Sequence, residues 1–202
     1  MEISVVITNF NYGRYLGRCI RSALSQTLDS RLYEVVVVDD ASTDDSVEIL
    51  KTYGSEIRVI ENLKNMGLAY TANVGMKSAK GRYVVRVDAD DYVHADFLKT
   101  LLLGFEFFGR DVEAISVDYL KVSPDGEVLS YGSAVAEPIA CAIGFKMDAL
   151  ETLGYYNNSL RIEEEVDLRT RFEESNFRIR NLNLPLYRYV QHSSSLSKSV
   201  LI

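Results

Sequence analysis

This 202-residue sequence predicts an α/β fold, with a mostly parallel central sheet and helices on both of its faces. Three observations carry that expectation. Strand and helix patterns alternate four times through the first half, the signature of parallel strands joined by helical crossovers. The second strand is an almost unbroken apolar run, the kind buried on both faces of a parallel sheet. Three strand ends are polar or acidic, and in open parallel sheets ligands bind beyond the carboxyl ends of the strands.

The elements follow in order. Ile3 to Thr8 is a short β-branched run, after which Leu16, Cys19, Ile20, Ala23 and Leu24 fall on one helical stripe. Glu34 to Asp39 is the apolar strand, and Ser42 with Asp45 stands at capping-box spacing for a helix start. Ile57 to Ile60 reads as a third strand; Leu68, Ala72, Met76 and Ala79 mark a third helix. Arg82 to Val87 reads as a fourth strand, and a helix beginning near Ala95 carries Leu98, Leu101, Leu102, Phe105 and Phe108 on its stripe.

The second half is less regular. Runs at 114–119 and 127–131 flank Pro124-Asp125-Gly126, a hairpin signal. Helices are expected near Met147–Leu153 and Glu164–Glu174, then a strand around Phe177–Asn183 and a serine-rich tail from Gln191. No linker, repeat or low-complexity segment interrupts the chain, so 1–202 reads as one domain with a substantial core.

Composition narrows the function classes. Apolar content of 47% and charged content of 25% are those of an ordinary globular protein. A formal charge of −7 without a basic cluster argues against a nucleic-acid partner. Cys19 and Cys141 have neither metal-like nor redox spacing and read as buried reduced thiols. No run approaches the roughly 18 apolar residues of a membrane span. With no charged-then-apolar leader before Ile3, a cytoplasmic location is expected, in solution or peripherally at the inner face of the membrane.

The most telling stretch is Arg86-Val87-Asp88-Ala89-Asp90-Asp91, where three carboxylates crowd the end of an apolar strand. Crowded carboxylates repel one another and are costly to bury, and a hard divalent cation bridging to phosphates would offset that cost. An acidic turn before the next helix is the plainer reading. Thr8-Asn9-Phe10-Asn11 and Asp39-Asp40-Ala41-Ser42 end the other two strands on the same edge. Phe10 could stack on a flat base or sit in the core below its loop. Asp39 or Asp40 could accept from a base or a sugar hydroxyl, or simply serve a turn. Glu163-Glu164-Glu165-Val166-Asp167 suits a first helical turn and forms i,i+4 pairs Glu165–Arg169 and Asp167–Arg171. It could equally project a general base into a site. His94 and His192 are each a metal ligand or a surface histidine.

Together these pieces resemble the family-2 glycosyltransferases over almost the whole chain. Thr8-Asn9-Phe10-Asn11 matches the family's first turn, with Phe in place of Tyr, and Ser22 to Gln26-Thr27 matches its S-x-x-x-Q-T helix end. Val38-Asp39-Asp40-Ala41-Ser42-Thr43-Asp44 matches V-D-D-x-S-x-D; Asn65-Met66-Gly67 and Asn73-Val74-Gly75 match the paired N-x-G segments. Gly81-Arg82-Tyr83 and Asp88-Ala89-Asp90-Asp91 match G-x-Y…D-A-D-D, in the same order and spacing. The late Y-R…H…S-x-S pattern is found at Tyr187-Arg188 and His192-Ser193-Ser194-Ser195-Leu196-Ser197.

The resemblance implies a Rossmann-like GT-A fold, with 1–91 as the nucleotide-sugar half and 92–202 as the acceptor and base half. It implies base and ribose contacts from Thr8, Phe10, Asp39 and Asp88. It implies Mn²⁺ or Mg²⁺ held by Asp90, with Asp91 and His192 as further ligand candidates. Glu165 falls where the family places its Asp base, flanked by Glu164 and Asp167. The implied reaction is inverting transfer from a nucleoside-diphosphate sugar to a hydroxyl of a glycan, lipid-linked or other acceptor, in cell-surface glycan or polysaccharide synthesis. UDP is favoured by family frequency. Acceptor contacts are expected from about Ala134 to Asn158, and an exposed edge leaves room for a homodimer. The Glu165 departure keeps open a silent sugar-nucleotide-binding subunit; a sugar nucleotidyltransferase fits less well, because Asn9 to Arg14 lacks repeated glycines.

Overall fold

The structure, a computed structural model, describes residues 1–160 and 164–192. Its strands are β1 (Ile3–Asn9), β2 (Tyr33–Asp39), β3 (Arg58–Glu61), β4 (Tyr83–Asp88), β5 (Tyr92–Val93), β6 (Ala114–Val122), β7 (Val128–Gly132), β8 (Ile143–Lys146) and β9 (Ile179–Val190). Its α-helices are α1 (Gly13–Leu24), α2 (Ser46–Lys51), α3 (Leu68–Ser78), α4 (Phe97–Phe108), α5 (Met147–Leu153) and α6 (Glu164–Glu174). One mixed sheet runs β3-β2-β1-β4-β8-β6-β9-β5, with β7 paired to β6. The first four of these strands are parallel, as expected. β8 is antiparallel to both β4 and β6, β9 is parallel to β6, and β5 is antiparallel to β9.

The two faces of the sheet can be read directly from alternating residues. Val5, Ile7, Val35, Val37, Val85 and Val87 pack with the α1 and α4 side chains Leu16, Ile20, Phe97 and Phe105. Their neighbours Val6 and Val84 point the other way, into a second core with Ala72 and Met76 of α3 and Leu168 and Phe172 of α6. Both faces are covered, which is why β2 has to be apolar at nearly every position.

Three local readings need correction. Ser42 and Asp45 make no capping box: α2 starts at Ser46, and Asp45 makes no side-chain cap bond. Asp44 does the capping instead, accepting from Ser46 N at 3.0 Å and from Gly13 N at 2.9 Å, so one carboxylate serves α2 and the start of α1. The last strand runs Ile179–Val190 rather than ending near Asn183, and it passes through Pro185. Proline is tolerated there because the β6–β9 pairing slips beside Asp118, where Pro185 need not donate. β5 and β8 were not foreseen, since two- and four-residue strands carry too little alternation to register. The tail beyond His192 lies outside the described residues, and no described helix is long and apolar enough to cross a membrane.

Gly75 shows how tightly α3 lies on the sheet. A Cβ there would overlap Val6 Cγ1 and reach 3.0 Å from Val38 Cγ2. We expect Gly75→Ala to destabilise the protein by about 1–3 kcal/mol through overpacking. Adding Val6→Ala should return part of the loss in urea denaturation; a silent Gly75→Ala would contradict this packing.

Candidate functional site

The carboxyl ends of β1, β2 and β4 meet at one rim, where hydrogen bonds lock the turns together. Asp39 is 1% exposed and accepts from Asn9 Nδ2 at 2.7 Å, Ser42 N at 2.8 Å and Ser42 Oγ at 2.6 Å. Asn11, left-handed at φ 57°, accepts from Thr43 N at 2.7 Å, so the turn after β1 holds the turn after β2. Asp40 accepts from Asn62 Nδ2 (2.7 Å), Met66 N (2.9 Å) and Gly67 N (2.8 Å). The adjacent carboxylates of the Asp39-Asp40 pair thus fasten two different loops, and the first N-x-G segment is the one Asp40 anchors. Phe10 stands 41% exposed on the rim, which sets aside the core-aromatic reading.

The acidic triplet separates into three environments. Asp88 ends β4 with its side chain 29% exposed and accepts from Thr8 Oγ1 at 3.3 Å. Asp91 turns inward: it is 2% exposed and accepts from Tyr187 Oη at 2.7 Å and Val190 N at 2.8 Å, tying the rim to β9. Burial, followed by the charges of Asp90 and Asp88, drives its carboxyl well above the usual range. Asp90 lies 2.9 Å from His192 Nε2. Its carboxyl is also raised, first by burial and then by Asp88, against the opposing pull of His192. His192 in turn stacks on Tyr15 with ring centroids 4.8 Å apart. His94 takes no part in this pairing; it is a loop residue whose Nδ1 accepts from Asp96 N at 3.1 Å.

The residue the sequence reading overlooked is Arg86. Its guanidinium is 3% exposed, with Nε 3.1 Å from Asp88 Oδ1 and Nη1 3.3 Å from Glu164 Oε1. The contact to Asp88 is an ion pair without hydrogen-bond alignment at Nε. The guanidinium carbon lies 5.4 Å over the ring centre of Tyr156. Asn73, from the second N-x-G segment, holds Tyr156 by exchanging bonds with its backbone: Nδ2 to Tyr156 O at 2.8 Å and Tyr156 N to Oδ1 at 3.0 Å. The available signal was a charged residue inside the apolar run Tyr83-Val84-Val85-Arg86-Val87, a placement that demands partners.

Glu164 is therefore buried against Arg86, and burial raises its carboxyl despite that partner. Glu165, the next residue, lines a cleft of ≈ 40 Å³ with Tyr156, Leu168, Arg169, Phe172 and Ile139 among its walls. Asp167 accepts from Arg171 Nε at 3.0 Å, and Arg171 also donates to Leu153 O and Tyr155 O, which ties α6 to the end of α5. Glu163 and Ser193–Ser197 lie outside the described residues.

A cation would find a hard carboxylate oxygen and an imidazole nitrogen side by side at Asp90 and His192. That donor pair suits an ion whose remaining ligands are phosphate oxygens and water. Among the described residues no group of three or more His, Cys, Asp or Glu is arranged to hold a metal ion.

The carboxyl edge of a parallel sheet is where α/β proteins of this class bind their ligands. The pattern of glycosyl transferase family 2 matches residues 4–161, and the chain belongs to that family. It is 29% identical to the putative glycosyltransferase EpsE of Bacillus subtilis, over 98% of this chain and 76% of that protein. It is 33% identical to a chondroitin synthase of Pasteurella multocida over 64% of this chain, but spans only 13% of that protein. In three dimensions it resembles S. aureus TarS 1–349 in complex with UDP, with TM-score 0.81 and 22% identity over 95% of this chain and 61% of TarS 1–349. It also resembles the mannosyltransferase PcManGT of Pyrobaculum calidifontis in complex with GDP-Man and Mn²⁺, with TM-score 0.76 and 18% identity over 98% of this chain and 59% of PcManGT. These likenesses establish the expected GT-A fold.

Removing Arg86 alone strands a buried carboxylate. Arg86→Met is expected to cost on the order of 3–5 kcal/mol in chemical denaturation, and Arg86→Met with Glu164→Gln should recover most of it. Equal stability of the single and double variants would contradict the pairing.

Proposed function

We propose that this chain is an inverting glycosyltransferase that moves a sugar from a UDP-sugar to an acceptor hydroxyl in polysaccharide or cell-wall glycan synthesis. The observation that carries the reading is the convergence of two acidic clusters: Asp88 at the donor rim and Glu164 beside Glu165 share one buried cation, Arg86. UDP is supported by the likeness to TarS in complex with UDP, and glycan synthesis by relatives such as the chondroitin synthase. Phe10, exposed at the rim, stacks on the base, while Thr8 and Asp39 shape its seat and Asp88 faces the ribose side. Asp91, spent on Tyr187 and Val190, positions the rim.

Asp90 and His192 are the residues that would hold Mn²⁺ or Mg²⁺. The bound ion supplies Lewis-acid stabilisation of the negative charge on the departing diphosphate. Glu165 takes the proton of the acceptor hydroxyl, whose oxygen attacks the anomeric carbon from the face opposite the leaving diphosphate. The C–O bond to the acceptor forms as the bond to the β-phosphate oxygen breaks, so one displacement inverts the configuration. The apolar walls beside Glu165 shield that proton transfer from bulk water.

Glu165→Gln should bind UDP with near-native affinity by calorimetry yet lose at least about 10²-fold in transfer from a panel of UDP-glucose, UDP-galactose and UDP-GlcNAc. Retained turnover removes Glu165 from the base role. Wild-type binding without turnover on any donor favours a silent binder. Asp90→Asn should weaken UDP binding in Mn²⁺ by roughly tenfold, about 1.4 kcal/mol, and EDTA should weaken the wild type comparably. Binding indifferent to both changes removes the metal from this site.

A further inference from the structure

We propose that Arg86 is a positioning residue for the transfer step: its guanidinium fixes the start of α6, and with it Glu165, against the donor-side carboxylate Asp88. The inference rests on the functional reading above and extends it to a residue buried beneath the substrates.

Arg86 and Asp88 are two apart on β4, so both side chains leave the same face of the sheet. That is the face on which α3, α5 and α6 pack, with Val84 in its core. The fork is divided between partners: Nε and Nη2 face Asp88 at 3.1 and 3.5 Å, while Nη1 faces Glu164 at 3.3 Å. The guanidinium thus faces both oxygens of Asp88 along one edge and still reaches a second element through Nη1. Here it bridges two elements that carry different halves of the chemistry. Its third side is closed by Tyr156, itself held by Asn73 of α3.

The charge is needed as well as the shape. Glu164, Glu165 and Asp167 begin α6, while Asp88 and Asp90 crowd the rim, so without a cation between them the acidic clusters repel. Arginine stays protonated even when fully buried, which a lysine there need not do. Replacing a buried ionic bridge by apolar groups often leaves stability intact, so stability alone does not account for the bridge.

The test uses the neutral pair Arg86→Met/Glu164→Gln, which leaves no stranded carboxylate, beside Arg86→Lys. Three readouts are taken: calorimetric UDP binding in Mn²⁺, hydrogen exchange of residues 164–168 with and without UDP, and kcat against donor KM on the UDP-sugar panel. In the wild type, UDP should slow exchange at the start of α6 by roughly tenfold. In the folded double variant UDP should still bind within about threefold, the exchange response should vanish, and kcat should fall on the order of 10²-fold. Arg86→Lys should recover part of both losses. A double variant with native kcat, or an α6 start that still responds to UDP, overturns the proposal, as does a wild-type α6 indifferent to bound UDP. Wild-type protein that binds no UDP overturns the functional reading beneath it as well, and so the two failures are told apart.

Discussion

Five carboxylates, Asp39, Asp40, Asp88, Asp90 and Asp91, sit at the carboxyl edge of an apolar sheet, and the molecule is built around making that tolerable. Desolvated like charges raise one another's proton affinity, so each must find donors or a cation. Asp39 and Asp40 find them in neighbouring loops, Asp91 in β9, Asp88 in Thr8 and Arg86, and Asp90 in His192. Apart from the local contacts of Arg86 with Asp88 and of Ser42 with Asp39, these solutions join segments far apart in sequence. The carboxylates therefore organise the loops, and Asp88 is left with its side chain 29% exposed at the rim.

The same constraint explains the path of the second half. β9 runs parallel to β6 and antiparallel to β5, which follows the acidic triplet directly. Tyr187 and Val190 on that strand accommodate Asp91, and His192 just beyond it reaches Asp90. The rim is thus closed by a segment about a hundred residues away from it, so its geometry depends on the second half of the chain having folded.

Much of this was legible beforehand. The parallel half was plain because a strand buried on both faces has to be apolar throughout, and Val35 to Val38 is. The rim was legible because Thr8, Asp39 and Asp88 each end such a strand. What stayed hidden depended on partners that no local pattern encodes. Ser42 beside Asp45 satisfied a capping pattern, yet Ser42 Oγ donates to Asp39 within its own turn and accepts from Asn9 Nδ2 and Asn11 N, partners that only the approach of β1 to β2 supplies. Asp91 reads as a further ligand candidate beside Asp90, and no local pattern shows that β9 donates to both of its oxygens. Arg86 belongs to the acidic stretch itself, but its contact with Glu164 depends on α6 packing on the face of β4 from which its side chain points.

That placement also bears on Glu165, the residue that the resemblance aligns with the family's aspartate base. Adjacent residues on a helix point about 100° apart, so once Glu164 is fixed on Arg86, Glu165 has a defined direction, and it lines the cleft beside Tyr156. The extra methylene then extends reach along that direction instead of adding freedom about it. In the base role proposed above, a longer side chain on an anchored helix is a change in depth. The departure from the family pattern is chemically compatible with proton transfer so long as the Arg86–Glu164 contact holds the helix start in place.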